Sequence, residues 1–462
     1  MDPEGKGAGQ DRIPALSFIP MPRSVYIETY GCQMNVADTE LMLGAMGKAG
    51  YVRVDVPDHA DVLLVNTCAV RENAEQRVIG RLGELQRFKR TGGVLGVVGC
   101  MAQRLGPRLL DQVPRVDLVA GPDAYRNLPA LVAQAAAGNR LSDTEFRAWE
   151  HYEDVPAVRE PGPSAFVTVQ RGCDYRCTFC IVPYTRGPER SRRLEDVVRE
   201  VAGLAAAGTT EVTLLGQTVN SYHDGRHDFA DLLRAVGAVD GIRRVRFTSP
   251  YPTDFTARVI EAMAEVPAVC EHVHLPVQSG SNAVLKRMLR RYTREQYLAV
   301  VERLRSAIPG ITFSTDIIVG FPGETEAQFQ DTLSLVEEAG FDDAYTFRYS
   351  AREGTPAVRL RDQVPESVAA ERLERLIEVV RHQARRRNLA RVGSRVEILV
   401  ERPAKRGGML LGRTRTNLLV LVDLPPSAVG EYHEVVLTGT TGSTFTGAVA
   451  GRCPGPQLAV LS

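Results

Sequence analysis

The sequence predicts an α/β chain of several domains: an N-terminal parallel α/β sheet, a central partial (β/α)6 barrel and a C-terminal small antiparallel β-barrel. Three observations predict it. The length of 462 residues is about three times a domain of roughly 150 residues. Strand-like runs alternate with amphipathic segments from Ser24 to about residue 390, as βαβ units do. After the charged stretch ESVAAERLERLIEVVRHQARRRNLA the texture changes to short β runs rich in Gly and Thr, as small barrels show.

In chain order, residues 1–22 read as a flexible leader. Residues 23–139 form the first α/β domain, with strands at SVYIETY, DVLLVNT and GVLGVVG. Residues 140–163 mix acidic residues with Pro and Gly and read as a linker, with Trp149 as its packing anchor. Residues 164–390 hold about six βα units, with strands at AFVTVQ, EVTLLG, RRVRFT, HVHLPV, TFSTDIIVG and DAYTFRYS, enough for a partial barrel. Residues 391–462 form the small barrel.

Composition excludes several classes. Apolar residues at 44% and charged residues at 24% fit a globular chain and rule out collagenous, disordered and coiled-coil readings. Lys plus Arg and Asp plus Glu both total 56, so any nucleic-acid surface must be local. No apolar run reaches a membrane span and the N-terminus has no hydrophobic signal core, so a soluble, cytoplasmic protein without membrane contact is expected.

The eight cysteines are too few for a secreted disulfide scaffold, and in a reducing compartment clustered Cys mean metal or catalysis. RGCDYRCTFC places Cys173, Cys177 and Cys180 in a C-x3-C-x2-C triplet just after a strand. Zinc would want a fourth protein ligand, and none follows at short spacing. An iron–sulfur cluster on three Cys leaves one iron open. Cys32, Cys68 and Cys100 are far apart in sequence, yet each ends a strand. In a parallel sheet all carboxyl strand ends share one edge, so three thiols should meet there as a second cluster site. Cys270 and Cys453 lack a partner pattern and read as structural thiols.

The triplet, with Phe179 before its last Cys, resembles the radical S-adenosylmethionine (SAM) superfamily. The segments YGCQMN, NTCAVRENAEQR, GCMAQR, GCDYRCTFCIVPYTRGPERSR, LLGQTVNSY, HLPVQSGSNAVLKRMLRRYT, STDIIVGFPGET and YSAREGTPA resemble the methylthiotransferases within it, over about residues 24–357. QMN and PYTRGPERSR look most like the tRNA branch, which makes 2-methylthio-N6-(dimethylallyl)adenosine beside the anticodon. The final barrel, with GRTRTN, resembles a TRAM domain. One departure is Thr218 in GQTVNSY, where the family pattern has Asn.

The resemblance implies two 4Fe–4S clusters and SAM as cofactors. The cluster on Cys173, Cys177 and Cys180 would cleave SAM reductively to a 5′-deoxyadenosyl radical. The cluster on Cys32, Cys68 and Cys100 would carry the sulfur, methylated by a second SAM. Phe179, Gln217, Gln278, Ser279, Asp316, Ile318 and Gly320, with Glu324 nearby, are expected around SAM at the strand ends. Arg186, Arg192, Arg413, Arg415 and Asn417 are expected to touch RNA; the run Lys286, Arg287, Arg290 and Arg291 is a further basic candidate, read as helical. The implied partners are the tRNA anticodon loop, an electron donor such as a flavodoxin or ferredoxin system, and iron–sulfur assembly machinery. Each thiol set lies in its own α/β unit and is expected to assemble its cluster without the other. Competing readings are methylthiolation of threonylcarbamoyl-adenosine in tRNA or of a ribosomal-protein aspartate. From another class comes a non-catalytic iron–sulfur RNA-binding protein.

Overall fold

A computed structural model describes residues 23–69, 72–405 and 407–453; the leader lies outside them. Chain order begins β1 (Arg23–Tyr30), α1 (Gln33–Lys48), β2 (Tyr51–Arg53), β3 (Val62–Thr67), α2 (Glu72–Leu85), β4 (Val94–Gly99) and α3 (Cys100–Leu105). It continues α4 (Arg108–Gln112), β5 (Leu118–Ala120), α5 (Leu128–Ala136) and β6 (Leu141–Asp143). The six strands form one sheet in the order β2-β1-β3-β4-β5-β6, parallel at every pairing. β3 and β4 are buried along their whole length, as expected for apolar, β-branched central strands covered on both faces. Val62 and Leu64 pack with α1 and α5, while Leu63 and Val65 pack with α2, α3 and α4.

β6 makes the start of the expected linker an edge strand of this sheet. The rest is a strap across the surface, and its anchor is not Trp149, which is 64% exposed, but buried Tyr152. Tyr152 stacks on Tyr125 and donates to the Pro122 carbonyl at 2.7 Å. The phenol has a buried acceptor there, which the indole does not.

The central body follows: β7 (Ser164–Thr168), β8 (Gln170–Arg171), α6 (Val182–Arg186), β9 (Arg190–Ser191), α7 (Leu194–Ala206), β10 (Glu211–Leu215), α8 (Phe229–Gly237), β11 (Arg244–Phe247) and α9 (Ala257–Glu265). After these come β12 (His272–His274), α10 (Asn282–Arg287), α11 (Arg294–Ala307), β13 (Thr312–Val319), α12 (Glu326–Ala339) and β14 (Asp343–Arg348). Strands β7, β10 and β11 form one parallel group and β12, β13 and β14 another. A parallel bridge from Val245 to Val269 joins them, giving the six-stranded partial barrel that the alternation predicts.

Helix α13 (Glu366–Arg391) leads to β15 (Arg395–Pro403), β16 (Leu410–Thr414), β17 (Leu419–Val422), β18 (Tyr432–Thr440) and β19 (Thr444–Arg452), a closed barrel in the order β15-β16-β17-β19-β18. Its pairings are antiparallel except β17 with β19, which is parallel. The barrel sits against the amino ends of the central strands. Arg244, fully buried, donates to the Arg413 carbonyl at 2.7 Å and the Glu397 carboxylate at 2.9 Å. Arg246 donates to the carbonyls of Thr414 and Arg415.

Candidate functional site

Cys68 and Cys100 follow β3 and β4 directly and Cys32 follows β1 after Gly31, so all three reach one edge of the sheet, as the strand-end argument requires. Local chemistry holds them there. Asn35 accepts from the Cys32 N–H at 3.3 Å and donates to Asn66 Oδ1 at 3.1 Å and the Thr67 carbonyl at 3.2 Å. Asn66 donates back to the Asn35 carbonyl at 2.7 Å. The Asn of QMN and the Asn of NTC thus lock two strand ends together. Gly99 turns at φ +92, and a Cβ there would meet Asn66 Oδ1 at 2.5 Å and the Thr67 carbonyl at 2.7 Å, so only glycine lets β4 deliver Cys100. Cys68 hydrogen-bonds Cys32 and, with Arg186 nearby, brings the Cys32 thiol down to about 6 against the effect of burial. Burial pushes the Cys100 thiol up.

Cys173, Cys177 and Cys180 lie in the loop between β8 and α6, at the carboxyl edge of the central strands. Burial raises Cys173 and pushes Cys180 up to about 12. Two donors aim at these sulfurs: Thr218 Oγ1 stands 3.8 Å from Cys173 Sγ and Arg290 Nη1 3.5 Å from Cys177 Sγ. The departure at Thr218 therefore places a hydroxyl beside a candidate ligand. Arg290 is seated over the rings of Tyr251 and Tyr292, 4.3 and 4.9 Å from their centroids.

Among the described residues no three His, Cys, Asp or Glu side chains converge tightly enough for a single metal ion. Within each set the thiols are near enough to bear on one another's ionisation. Three neighbouring thiols without a fourth protein ligand are a donor set suited to a four-iron cluster, and the donors aimed at sulfur suit it as well.

The other expected residues divide. Gln217 lies two residues past β10, and its Oε1 is buried without a partner, an acceptor suited to a cofactor hydroxyl or amino group. Phe179 and Ile318 pack on one apolar cluster with Phe321 and Met288, forming one wall. Gln278 adopts φ +71 and pairs its backbone with Asp316 and Ile318, a strained conformation of the kind held at functional sites. Asp316 faces His274 Nε2 at 3.4 Å. Ser279 and Gly320 are accounted for by packing instead. The Ser279 hydroxyl, fully buried, meets Thr332 Oγ1 at 3.3 Å. Gly320 donates to Glu324 at 2.7 Å, and a Cβ there would meet Ala369 Cβ of α13 at 2.6 Å. Glu324 is held by Arg372 at 2.9 Å, so it docks α13.

The expected RNA contacts are redirected. Arg186 is 4% exposed and bonds Asp38 Oδ2 at 2.7 Å. Arg192 bonds Glu200 at 2.6 Å. Arg413 grips Glu401 and Asn417, while Arg415 grips Glu271 and the carbonyls of Pro267 and Val269. GRTRTN is thus a docking loop between barrel and central body. Only Arg186 is enclosed with its carboxylate; Arg192, Arg413 and Arg415 are paired but keep part of their side chains exposed. The Lys286–Arg291 run also splits: α10 ends at Arg287, Arg290 turns inward to Cys177, and Lys286 and Arg291 remain exposed. With exposed Arg176 they line one pocket beside Tyr292.

Residues 167–336 match the family model described as the Radical SAM superfamily, and residues 24–121 match the uncharacterized protein family UPF0004. The tRNA-2-methylthio-N(6)-dimethylallyladenosine synthase of Alkalilimnicola ehrlichii is 45% identical over 440 residues, spanning 93% of this chain and 98% of that one. Its namesake in Geobacillus thermodenitrificans is 44% identical over 468 residues, spanning 97% and 89%. Among solved structures, the radical S-adenosylmethionine methyltransferase TsrM of Kitasatospora setae superposes with a TM-score of 0.57 at 15% identity, covering 73% of this chain and 77% of that one. That likeness is one of fold.

Proposed function

The chain belongs to the tRNA-2-methylthio-N(6)-dimethylallyladenosine synthase family of radical SAM enzymes, and on that premise we propose how its residues serve the reaction. The enzyme methylthiolates N6-(dimethylallyl)adenosine of tRNA, using SAM and 4Fe–4S clusters. The observation that carries the residue assignment is the pair of three-thiol sets at the carboxyl ends of two adjoining parallel sheets. Cys173, Cys177 and Cys180 hold one cluster, and Cys32, Cys68 and Cys100 hold the other. When bound, the clusters and SAM supply hydrogen abstraction at C2, the sulfur and its methyl group.

The chain's own groups bind and orient. Thr218 and Arg290 donate to cluster-bearing sulfurs and stabilise their anionic form. The unpartnered Gln217 carbonyl oxygen accepts from SAM, and the Phe179–Ile318 wall keeps water from the reacting centre. Lys286, Arg291 and Arg176 receive phosphates of the anticodon loop, whose unstacked bases can be splayed out for chemistry on an edge. Residues 391–462 act as a TRAM domain. No helix among the described residues is long and apolar enough to cross a membrane, and we place the enzyme in the cytoplasm with its tRNA, a flavodoxin or ferredoxin reductant and cluster-assembly machinery.

An isopentenyl group fills an apolar pocket that bare adenosine leaves empty, which is worth roughly 1–3 kcal/mol in the transition state. With anaerobically reconstituted enzyme, nucleoside mass spectrometry should show methylthio product from isopentenylated tRNA at least tenfold faster than from the unmodified form. Equal rates would defeat the substrate assignment.

A further inference from the structure

Arg186 stands where the two thiol sets meet. Helix α6 begins two residues after Cys180 and packs against α3, which begins at Cys100. Ile181, the residue after Cys180, shares a small apolar cluster with Cys100 and with Ala69, the residue after Cys68. At the far end of α6 the Arg186 guanidinium crosses into the N-terminal domain. Its Nη2 bonds Asp38 of α1 at 2.7 Å, and Asp38, fully buried, also takes Arg171 Nη1 at 3.0 Å and the Tyr125 hydroxyl at 3.4 Å.

Two features of this junction are unbalanced. Two buried guanidiniums face one buried carboxylate, so Asp38 balances only one of the two positive charges at the junction. Arg186 Nη1 is itself buried and has no acceptor, and the guanidinium lies close enough to Cys100 and Cys32 to favour the ionised form of both thiols. A buried charge without a counter-charge and a buried donor without an acceptor are each unfavourable. Both are satisfied if an anion is held on the three neighbouring thiolates. Arg is the side chain for this task, since its planar fork serves Asp38 with one nitrogen and a second acceptor with another.

We propose that Arg186 is a positioning residue for the N-terminal cluster: it donates a hydrogen bond to the cluster's sulfur shell, balances its negative charge and raises its reduction potential. The proposal rests on the reading that Cys32, Cys68 and Cys100 hold a cluster. It also means that the sulfur-carrying site is completed by a residue of the central body. A positive charge nearby stabilises the more negative, reduced state, so its removal lowers the potential.

The test uses the full chain carrying Cys173→Ala, Cys177→Ala and Cys180→Ala, reconstituted anaerobically with iron and sulfide, so that only the N-terminal set remains. If this background binds no iron–sulfur cluster, the underlying ligand reading falls, independently of Arg186. If it does, a reductive titration followed by EPR compares it with Arg186→Met and Arg186→Lys. The Met variant should lower the reduced-to-oxidised ratio at a fixed potential by roughly tenfold, about 59 mV for one electron, and the Lys variant should recover part of that loss. An unchanged potential in the Met variant overturns the proposal. Should the Met variant fail to load iron, Arg186→Met combined with Asp38→Asn, which removes one buried charge of each sign, decides. A lowered potential in that protein supports the proposal, and an unchanged potential or an iron-free protein overturns it.

Discussion

Asp38 lies on the apolar stripe of α1, between Met34 and Leu41, and its carboxylate gathers Arg171 and Arg186 from the central body. Burial pushes it up, but the two guanidiniums hold it below the usual carboxylate range. A charge on an apolar helical stripe is a legible sign of a buried ion pair, but its partners lie 133 and 148 positions further along the chain, so the stripe alone does not name them. The cysteines themselves were legible, because motif spacing and strand-end position are properties of the chain. Their variants should separate two functions. Changing Cys173, Cys177 and Cys180 to Ala should abolish 5′-deoxyadenosine and methylthio nucleoside together. Changing Cys32, Cys68 and Cys100 should leave SAM cleavage measurable and remove the methylthio product, with iron falling from about eight to about four per chain. Methylthio product from the N-terminal variant would return those thiols to the core.

At the level of elements, the segment from α10 to α11 shows why a basic run cannot be read as one surface. α10 stops at Arg287, Leu289 turns at φ +55, and the backbone reversal sends Arg290 under the aromatic rings while Arg291 stays outside over Tyr175. The sequence reading places all four cations on a helix; the left-handed turn leaves Lys286 and Arg291 outward and Arg290 inward, while Arg287 is held by Gln328. If Lys286 and Arg291 each neutralise one phosphate, reversing both to Glu should reduce the salt slope of tRNA binding by about 2 and weaken affinity at low salt most. Filter binding across a salt series would measure it. An unchanged slope would remove this groove from the RNA path. SAM cleavage without tRNA should persist, because neither side chain bonds a cluster sulfur.

For the whole molecule, the two barrels are joined through charged groups at the amino ends of the central strands, the end opposite Cys173, Cys177 and Cys180, with buried Cys270 among those groups. Arg244, Arg246 and Glu211 are covered there by the backbone of residues 413–415, and Arg415 closes on Glu271. Arg244→Ala should therefore remove hydrogen bonds to the Arg413 and Glu397 carbonyls and the Glu397 carboxylate, while Glu397 keeps Arg243 and Glu211 keeps Arg246, a loss of about 3 kcal/mol and so a few degrees in the melting midpoint. EPR of the clusters at the far strand ends should be unaltered. A midpoint within one degree of the parent would show that the barrel is only loosely apposed. Deleting residues 392–462 carries the same penalty, so lost tRNA binding in that truncation must be read beside its melting curve.

Local pattern was enough for the alternation of strands and helices, the six central strands, the closing barrel and both thiol sets. Each depends on period, spacing or strand order, all of which are written along one stretch of chain. The fate of the arginines was not. Arg186 and Arg415 look in sequence like any other arginine, and each meets its carboxylate from a distant segment, Asp38 and Glu271 respectively, whereas Arg192 and Arg413 pair nearer by, with Glu200 and Glu401. Whether a guanidinium faces phosphate or an internal anion turns on which charge folding brings within about 3 Å. Desolvation inside the protein makes that internal pairing obligatory once the segments meet. Chain position alone does not encode the meeting.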